Sequence, residues 1–210
     1  RKKARAPMNF PDILTLDAYA NCRDAIRERM IAHKRARTVQ FGPAMRLQFE
    51  DLLTVRYQIQ EVLRIDRIED PRAIREEIEC YAHLVPDGDC WCATLMIEEP
   101  APEARRRVLP LLHVAVPHIH LELGGLRRIP VRANLDLPPE QRDRPSAVHF
   151  LRFDFDEPSR ALLLAGAPVA LGCDHEHYRW GARLATETVA HLVQDIGRKP
   201  PPATRRPDAS

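Results

Sequence analysis

The spacing of apolar residues changes period several times along the chain, and each change predicts an element. After Thr15, a natural N-cap, Tyr19, Cys22, Ile26 and Met30 recur every three or four residues, which predicts a helix. It runs out in the basic stretch HKRAR at 33–37, where cations suit a helix C-terminus. Residues 38–50 then alternate. Val39, Phe41, Met45, Leu47 and Phe49 are apolar, Gln40, Arg46, Gln48 and Glu50 lie between them, and Gly42-Pro43 separates the two runs. This is a β-hairpin with one buried face and one wet face. Helical spacing returns over 51–66 with Leu52, Val55, Ile59 and Val62. Asp70-Pro71 supplies an N-cap and an N-terminal proline for a third helix, striped by Ile74, Ile78, Tyr81 and Val85 and ended by Pro86-Asp87-Gly88.

The second half is richer in strands. Cys90 to Glu98 predicts a strand, 101–112 a short arginine-bearing helix, and 118–123 with 126–133 a second hairpin around Gly124-Gly125. The stretch SAVHFLRFDF (146–155) predicts a strand. A short helix follows, then a strand, PVALG, that runs into Cys173-Asp174-His175-Glu176-His177-Tyr178. A last helix is expected over about 180–194, with Leu184, Val189, Leu192 and Val193 as its apolar contacts. Two-residue turns between strands imply antiparallel pairing. The fold class is therefore α+β, mainly an antiparallel sheet built from hairpins, with an N-terminal helical block and a C-terminal helix. A single domain is expected over 12–195, between a disordered basic tail at 1–11 and a disordered Pro-rich tail at 196–210.

Composition narrows the function classes. A net charge of +2 on 210 residues supplies no global field toward nucleic acid or an anionic membrane. The basic clusters at 33–37, 105–107 and 127–128 have no interleaved aromatic platform for bases. The apolar runs are far short of the roughly 18–20 residues of a membrane span. Five cysteines match no disulfide framework, and no apolar export-type segment follows RKKARAP, so free thiols in a reducing cytoplasm are expected. GxSxG, GxGxxG, Walker A and HExxH motifs are all missing.

Several constellations could carry chemistry. Cys173, His175 and His177 alternate, so an extended backbone projects them from one face toward a transition metal. Against this, Val169 and Leu171 share their parity, so Cys173 simply continues a core face. His118, His120 and Glu122 also alternate and could meet that cluster across a sheet; the plainer reading is a solvated face opposite Ile119, Leu121 and Leu123. The metal candidates are therefore His175, His177, His118 and His120, although no cofactor is evident. His149 shares parity with Leu151 and Phe153, which places it on a core face. Burial can tune such an imidazole into an acid–base group, with Asp174 as partner if the two strands pair. Cys90 and Cys92 flank Trp91 on what reads as a two-sided core strand. In the second helix Gln58, Glu61 and Arg64 are polar neighbours at helical spacing, and a carboxylate aimed at a pocket is the sharper alternative to local pairing.

The ordered segments VQFGP (39–43), TVRYQIQEVLRIDRI (54–68), LVPDG (84–88), ATLMIE (93–98), SAVHFLRFDF and the Asp174-His175…Tyr178 strand end resemble domain of unknown function family 3501. That resemblance covers roughly 12–195. It implies bacterial proteins encoded beside a rubrerythrin-like protein and an iron–sulfur oxidoreductase, hence an accessory or binding role in a redox or peroxide-handling system. It supplies no established catalytic residue. Glu61, His149, Arg152, Asp174, His175 and Tyr178 lie inside the resembling segments and form the candidate catalytic set. The alternative function is a metal-dependent or acid–base enzyme centred on His149, Asp174 and His175.

Overall fold

A computed structural model describes Phe10, residues 13–134 and residues 144–198. Most of the two expected tails and of the 136–145 loop lies outside these residues. Phe10 is itself buried, and Ile196 packs on the core.

The N-terminal half follows the apolar pattern closely. Helix α1 (Leu16–Ala36) starts at Thr15, whose side chain accepts from the Ala18 amide. Strands β1 (Thr38–Phe41) and β2 (Met45–Glu50) form the first hairpin. Helix α2 (Leu52–Ile65) opens on a reciprocal capping box between Asp51 and Thr54. Helix α3 (Pro71–Ala82) is capped by Asp70, which accepts from the Arg72 and Ala73 amides.

Strand β3 (Cys90–Ile97) and helix α4 (Pro102–Ala115) precede β4 (Ile119–Leu123) and β5 (Arg127–Pro130). The predicted strand over 126–133 divides here. Pro130 has no N–H to extend the ladder, and β6 (Arg132–Ala133) leaves for a different sheet. Strand β7 (Val148–Asp154), helix α5 (Glu157–Leu164) and strand β8 (Val169–His175) follow. The helix expected from about 180 begins only at Thr186, as α6 (Thr186–Val193). Tyr178–Arg183 is instead strand β9, paired with β8 through His175↔Tyr178 and Cys173↔Trp180. The edge of β8 offers ladder hydrogen bonds to the segment that turns back beside it, and that pairing decides a stretch with no strong period of its own.

The strands form two antiparallel sheets, ordered β1-β2-β3-β7-β6 and β5-β4-β8-β9. Their apolar faces share one core, from Phe41, Leu47, Phe49, Leu95 and Phe153 on one side to Leu121, Leu171 and Cys173 on the other. Leu192 of α6 joins this core, and its carbonyl accepts from Trp91 Nε1 at 2.9 Å. A second core of Val55, Ile59, Leu63, Leu84 and Val85 holds the helical block together and reaches the opposite face of the five-stranded sheet at Phe150.

Two contacts tie distant segments. Tyr178 is buried, donates its hydroxyl to the Phe41 carbonyl and meets the Phe41 ring edge-on at 5.6 Å. Gly42 beside it has φ +66°, and a Cβ there would come within 2.9 Å of the Trp180 ring, so glycine is required on both counts. Buried Arg37 ion-pairs with Asp195, joining the end of α1 to the segment after α6.

Candidate functional site

The outer face of the five-stranded sheet is only partly covered by α1, α2 and α3. Between them lies a cleft of about 800 Å³. Its floor consists of the alternate positions that face away from the shared core. One cross-strand row is Gln40–Arg46–Met96–Val148 and the next is Thr38–Gln48–Thr94–Phe150. Beyond them Glu50 lies beside the start of α2. It is only 9% exposed, and its Oε1 accepts from Thr94 Oγ1 at 2.7 Å. Among the described residues no cation pairs with it. Lys34 and Arg35 line the cleft from α1, Gln58 from α2 and Tyr81 from α3.

None of the candidate catalytic or metal-ligating residues lines this cleft; of the constellations read from the sequence, Gln58 is the one member that does. The signal that could have found it was the polar parity of the first hairpin. Gln40 and Gln48 are uncharged amides where a fully wet strand would carry charges, and Gln48 and Glu50 are buried.

His149 is fully buried on the core-facing side of β7, as its parity predicted. Its Nε2 lies 2.8 Å from the Ser146 carbonyl and must carry the proton. Its Nδ1, 2.9 Å from Asn134 Nδ2, accepts, while Asn134 Oδ1 accepts from the Phe150 amide at 3.1 Å. Burial, with the His113 ring 5.2 Å away, pushes its pKa down to about 4. This is a satisfied, neutral core histidine. The expected Asp174 partner is elsewhere: β7 and β8 belong to different sheets. Asp174 is exposed and pairs with Arg128 at 2.6 Å, which holds its carboxyl below the usual range.

Glu61 is a clamp between two helices. Tyr19 and Arg23 of α1 donate to it at 2.6 and 2.8 Å, and Arg64 at 3.2 Å. The Arg23 guanidinium foremost holds its carboxyl down at about 2. The sharper expectation, a carboxylate aimed at a pocket, is replaced by this interhelical pairing. Arg152 bridges Asp154 at 2.5 Å and Asp87 at 2.8 Å, fastening the loop before β3 to β7.

The histidines of the second sheet do converge in part. The His118 and His175 rings lie 4.7 Å apart, and the His175 and His177 rings 5.2 Å apart. His120 does not join them on a solvated face. It is buried over Gly172, where a Cβ would meet its Cε1 at 2.7 Å. Among the described residues no three ligating side chains are arranged to hold an ion.

The three buried thiols are structural. Cys90 and Cys92 are buried with their sulfurs 3.8 Å apart, and that contact together with burial pushes the Cys90 thiol far up. Cys173 is buried, and burial raises it too. A thiol that cannot ionise is a poor nucleophile and a poor redox group.

A protein of unknown function from Burkholderia pseudomallei, seen in a crystal structure, is 40% identical and superposes with a TM-score of 0.87, covering 90% of this chain and 99% of its own. No curated protein matches the chain. Residues 7–196 match the family described as protein of unknown function (DUF3501), and the chain belongs to that family.

Proposed function

We propose that this chain is a binding component of a redox or peroxide-handling system, working in the cytoplasm beside an iron–sulfur or di-iron partner, and that the cleft over the five-stranded sheet is its binding site. The cleft carries the reading. A space of about 800 Å³ with a mixed polar and apolar lining is of the size that holds a small molecule or cofactor. Inside it lies a nearly buried carboxylate, Glu50, that forms no ion pair among the described residues, the neighbouring Arg37 guanidinium reaching only its backbone carbonyl. Such a group keeps its place at a cost unless a ligand uses it. The partner class comes from the family resemblance: an iron–sulfur oxidoreductase and a rubrerythrin-like protein. The thiol environments support an accessory role, because the buried cysteines are shielded from exchange. Five free thiols also suit a reducing compartment, and no helix among the described residues is long and apolar enough to cross a membrane.

The acid–base alternative centred on His149, Asp174 and His175 lacks comparable support. The first is sealed in the core of one sheet, and the others are on the other sheet.

The test is affinity capture of the full chain from cells that naturally make it, with iron analysis and mass spectrometry of what is retained. Recovery of an iron–sulfur or di-iron protein at near-stoichiometric amount is expected. Repeated captures holding neither such a protein nor iron would overturn the partner assignment.

A further inference from the structure

We infer that the outer edge of β9 is a docking site, which takes an extended acidic segment of a partner protein as an added strand. This surface belongs to the four-stranded sheet and is separate from the cleft, which lies over the other sheet.

Strand β9 is paired on one side only. β8 lies along it there, and no strand among the described residues pairs with its other side. The Leu184 amide donates to the Val169 carbonyl, so in the antiparallel alternation Ala182, Trp180 and Tyr178 also turn their backbone toward β8. Arg179, Gly181 and Arg183 turn theirs outward. All three are exposed, and their amides and carbonyls have no partner among the described residues.

Gly181 points to an occupant. It sits in mid-strand without a positive φ, and a Cβ there would meet nothing within 4 Å. Neither backbone freedom nor crowding inside the chain calls for glycine here. Gly172, opposite it on β8, differs in that it makes room for His120. A glycine inside a strand weakens it and marks a place where another backbone approaches closely.

Charge names the occupant. Arg179 and Arg183 flank Gly181 on the same face, and neither forms an ion pair among the described residues. Asp174, opposite Arg179, is held by Arg128 at 2.6 Å, and Ala170 lies opposite Arg183. A second copy paired about Gly181 would set Arg179 against the copy's Arg183, and like charges directly opposite repel. Arginines alone blunt an edge against strand addition. The glycine between them opens this edge to a segment of opposite charge. The complementary segment carries acidic residues four apart on that face. Between them it carries apolar residues on the other face, where Trp180 is 48% exposed.

NMR of the isotope-labelled full chain tests this with two capped heptapeptides. One is Thr-Glu-Val-Thr-Val-Glu-Thr; the other has lysine in place of both glutamates. The acidic peptide is expected to shift the amide signals of Arg179, Gly181 and Arg183 and, at saturation, to slow their hydrogen exchange by about ten-fold or more. The lysine peptide should do neither. The double variant R179E/R183E should reverse the preference. Gly181→Pro removes an outward N–H but none of the bonds to β8, and it should abolish binding of the acidic peptide, with circular dichroism confirming that it folds. Absence of shifts at the three amides, equal binding of the two peptides, or a preference that the charge reversal leaves unchanged overturns the proposal. Undiminished binding of the acidic peptide to folded Gly181→Pro overturns the strand addition. Protection of the three amides that rises with chain concentration in the absence of peptide also overturns it, because the occupant is then a second copy.

Discussion

Acid should destabilise this protein through His149, and by a predictable amount. The imidazole is fully buried, donates through Nε2 to the Ser146 carbonyl and accepts at Nδ1 from Asn134. Burial lowers its pKa from 6.5 to about 4. In the unfolded chain it takes up a proton near 6.5; in the folded chain it resists until about 4. Between those values the unfolded state holds the extra proton, so lowering the pH favours unfolding. The stability from neutral His149 is complete above pH 6.5, falls as the pH drops toward 4 and levels off below. The separation corresponds to about 3 kcal/mol in all, of which about 2 kcal/mol is lost between pH 7 and pH 5. Carboxylates titrate in the same range, so the contribution must be isolated by difference. Urea unfolding of the natural chain and of His149→Phe at pH 7, 6 and 5 does this, because phenylalanine cannot take a proton. At pH 7 the variant should be about 1–3 kcal/mol less stable, since Asn134 and the Ser146 carbonyl each lose a buried partner. That gap should shrink by about 2 kcal/mol at pH 5. A gap that stays constant, or an NMR titration placing the His149 ring near 6.5, refutes the reasoning.

Two further outcomes follow from other buried groups. Asp195→Ala should cost about 3 kcal/mol or more in thermal or chemical unfolding, because it leaves the Arg37 guanidinium, 3% exposed, with long bonds to backbone carbonyls and Asp51 at 3.5 Å as its one remaining carboxylate among the described residues; a loss below about 1 kcal/mol would contradict this. Treatment of the folded chain with a thiol reagent should modify exposed Cys80 and partly exposed Cys22 and no others, with Cys90, Cys92 and Cys173 reacting only in denaturant; modification of any of those three in the folded chain would contradict their burial.

Much of the fold is written in local spacing. The caps at Thr15, Asp51 and Asp70 and the stripes of the first three helices can be read directly, because a helix satisfies its own backbone within a few residues. The alternation over 38–50 identifies both strands of the first hairpin and even which face is buried. The same parity argument places His149 and Cys173 in the core, and both are there. Local spacing fails where a segment's state depends on a distant partner. Tyr178–Arg183 carries no strong period of its own and becomes a strand because β8 offers it an edge. Residues 126–133 look like one strand and are shared between two sheets, since the chain crosses from one to the other after Pro130.

The candidate chemistry divides in the same way. Residue types and parity were enough to recognise His118 and His175 as side chains that could meet, and their rings do lie 4.7 Å apart. They could not show that His149 and Asp174 would end on separate sheets, or that Glu61 would be consumed by Tyr19 and Arg23. Least visible was the cleft, whose lining comes from three helices and four strands spread from Ile31 to Phe150. In sequence its floor is merely the polar half of an alternating pattern. Whether that half meets open water or a roofed recess is settled by how α1, α2 and α3 pack over the sheet, which is a property of long-range burial and leaves no periodic trace in the chain.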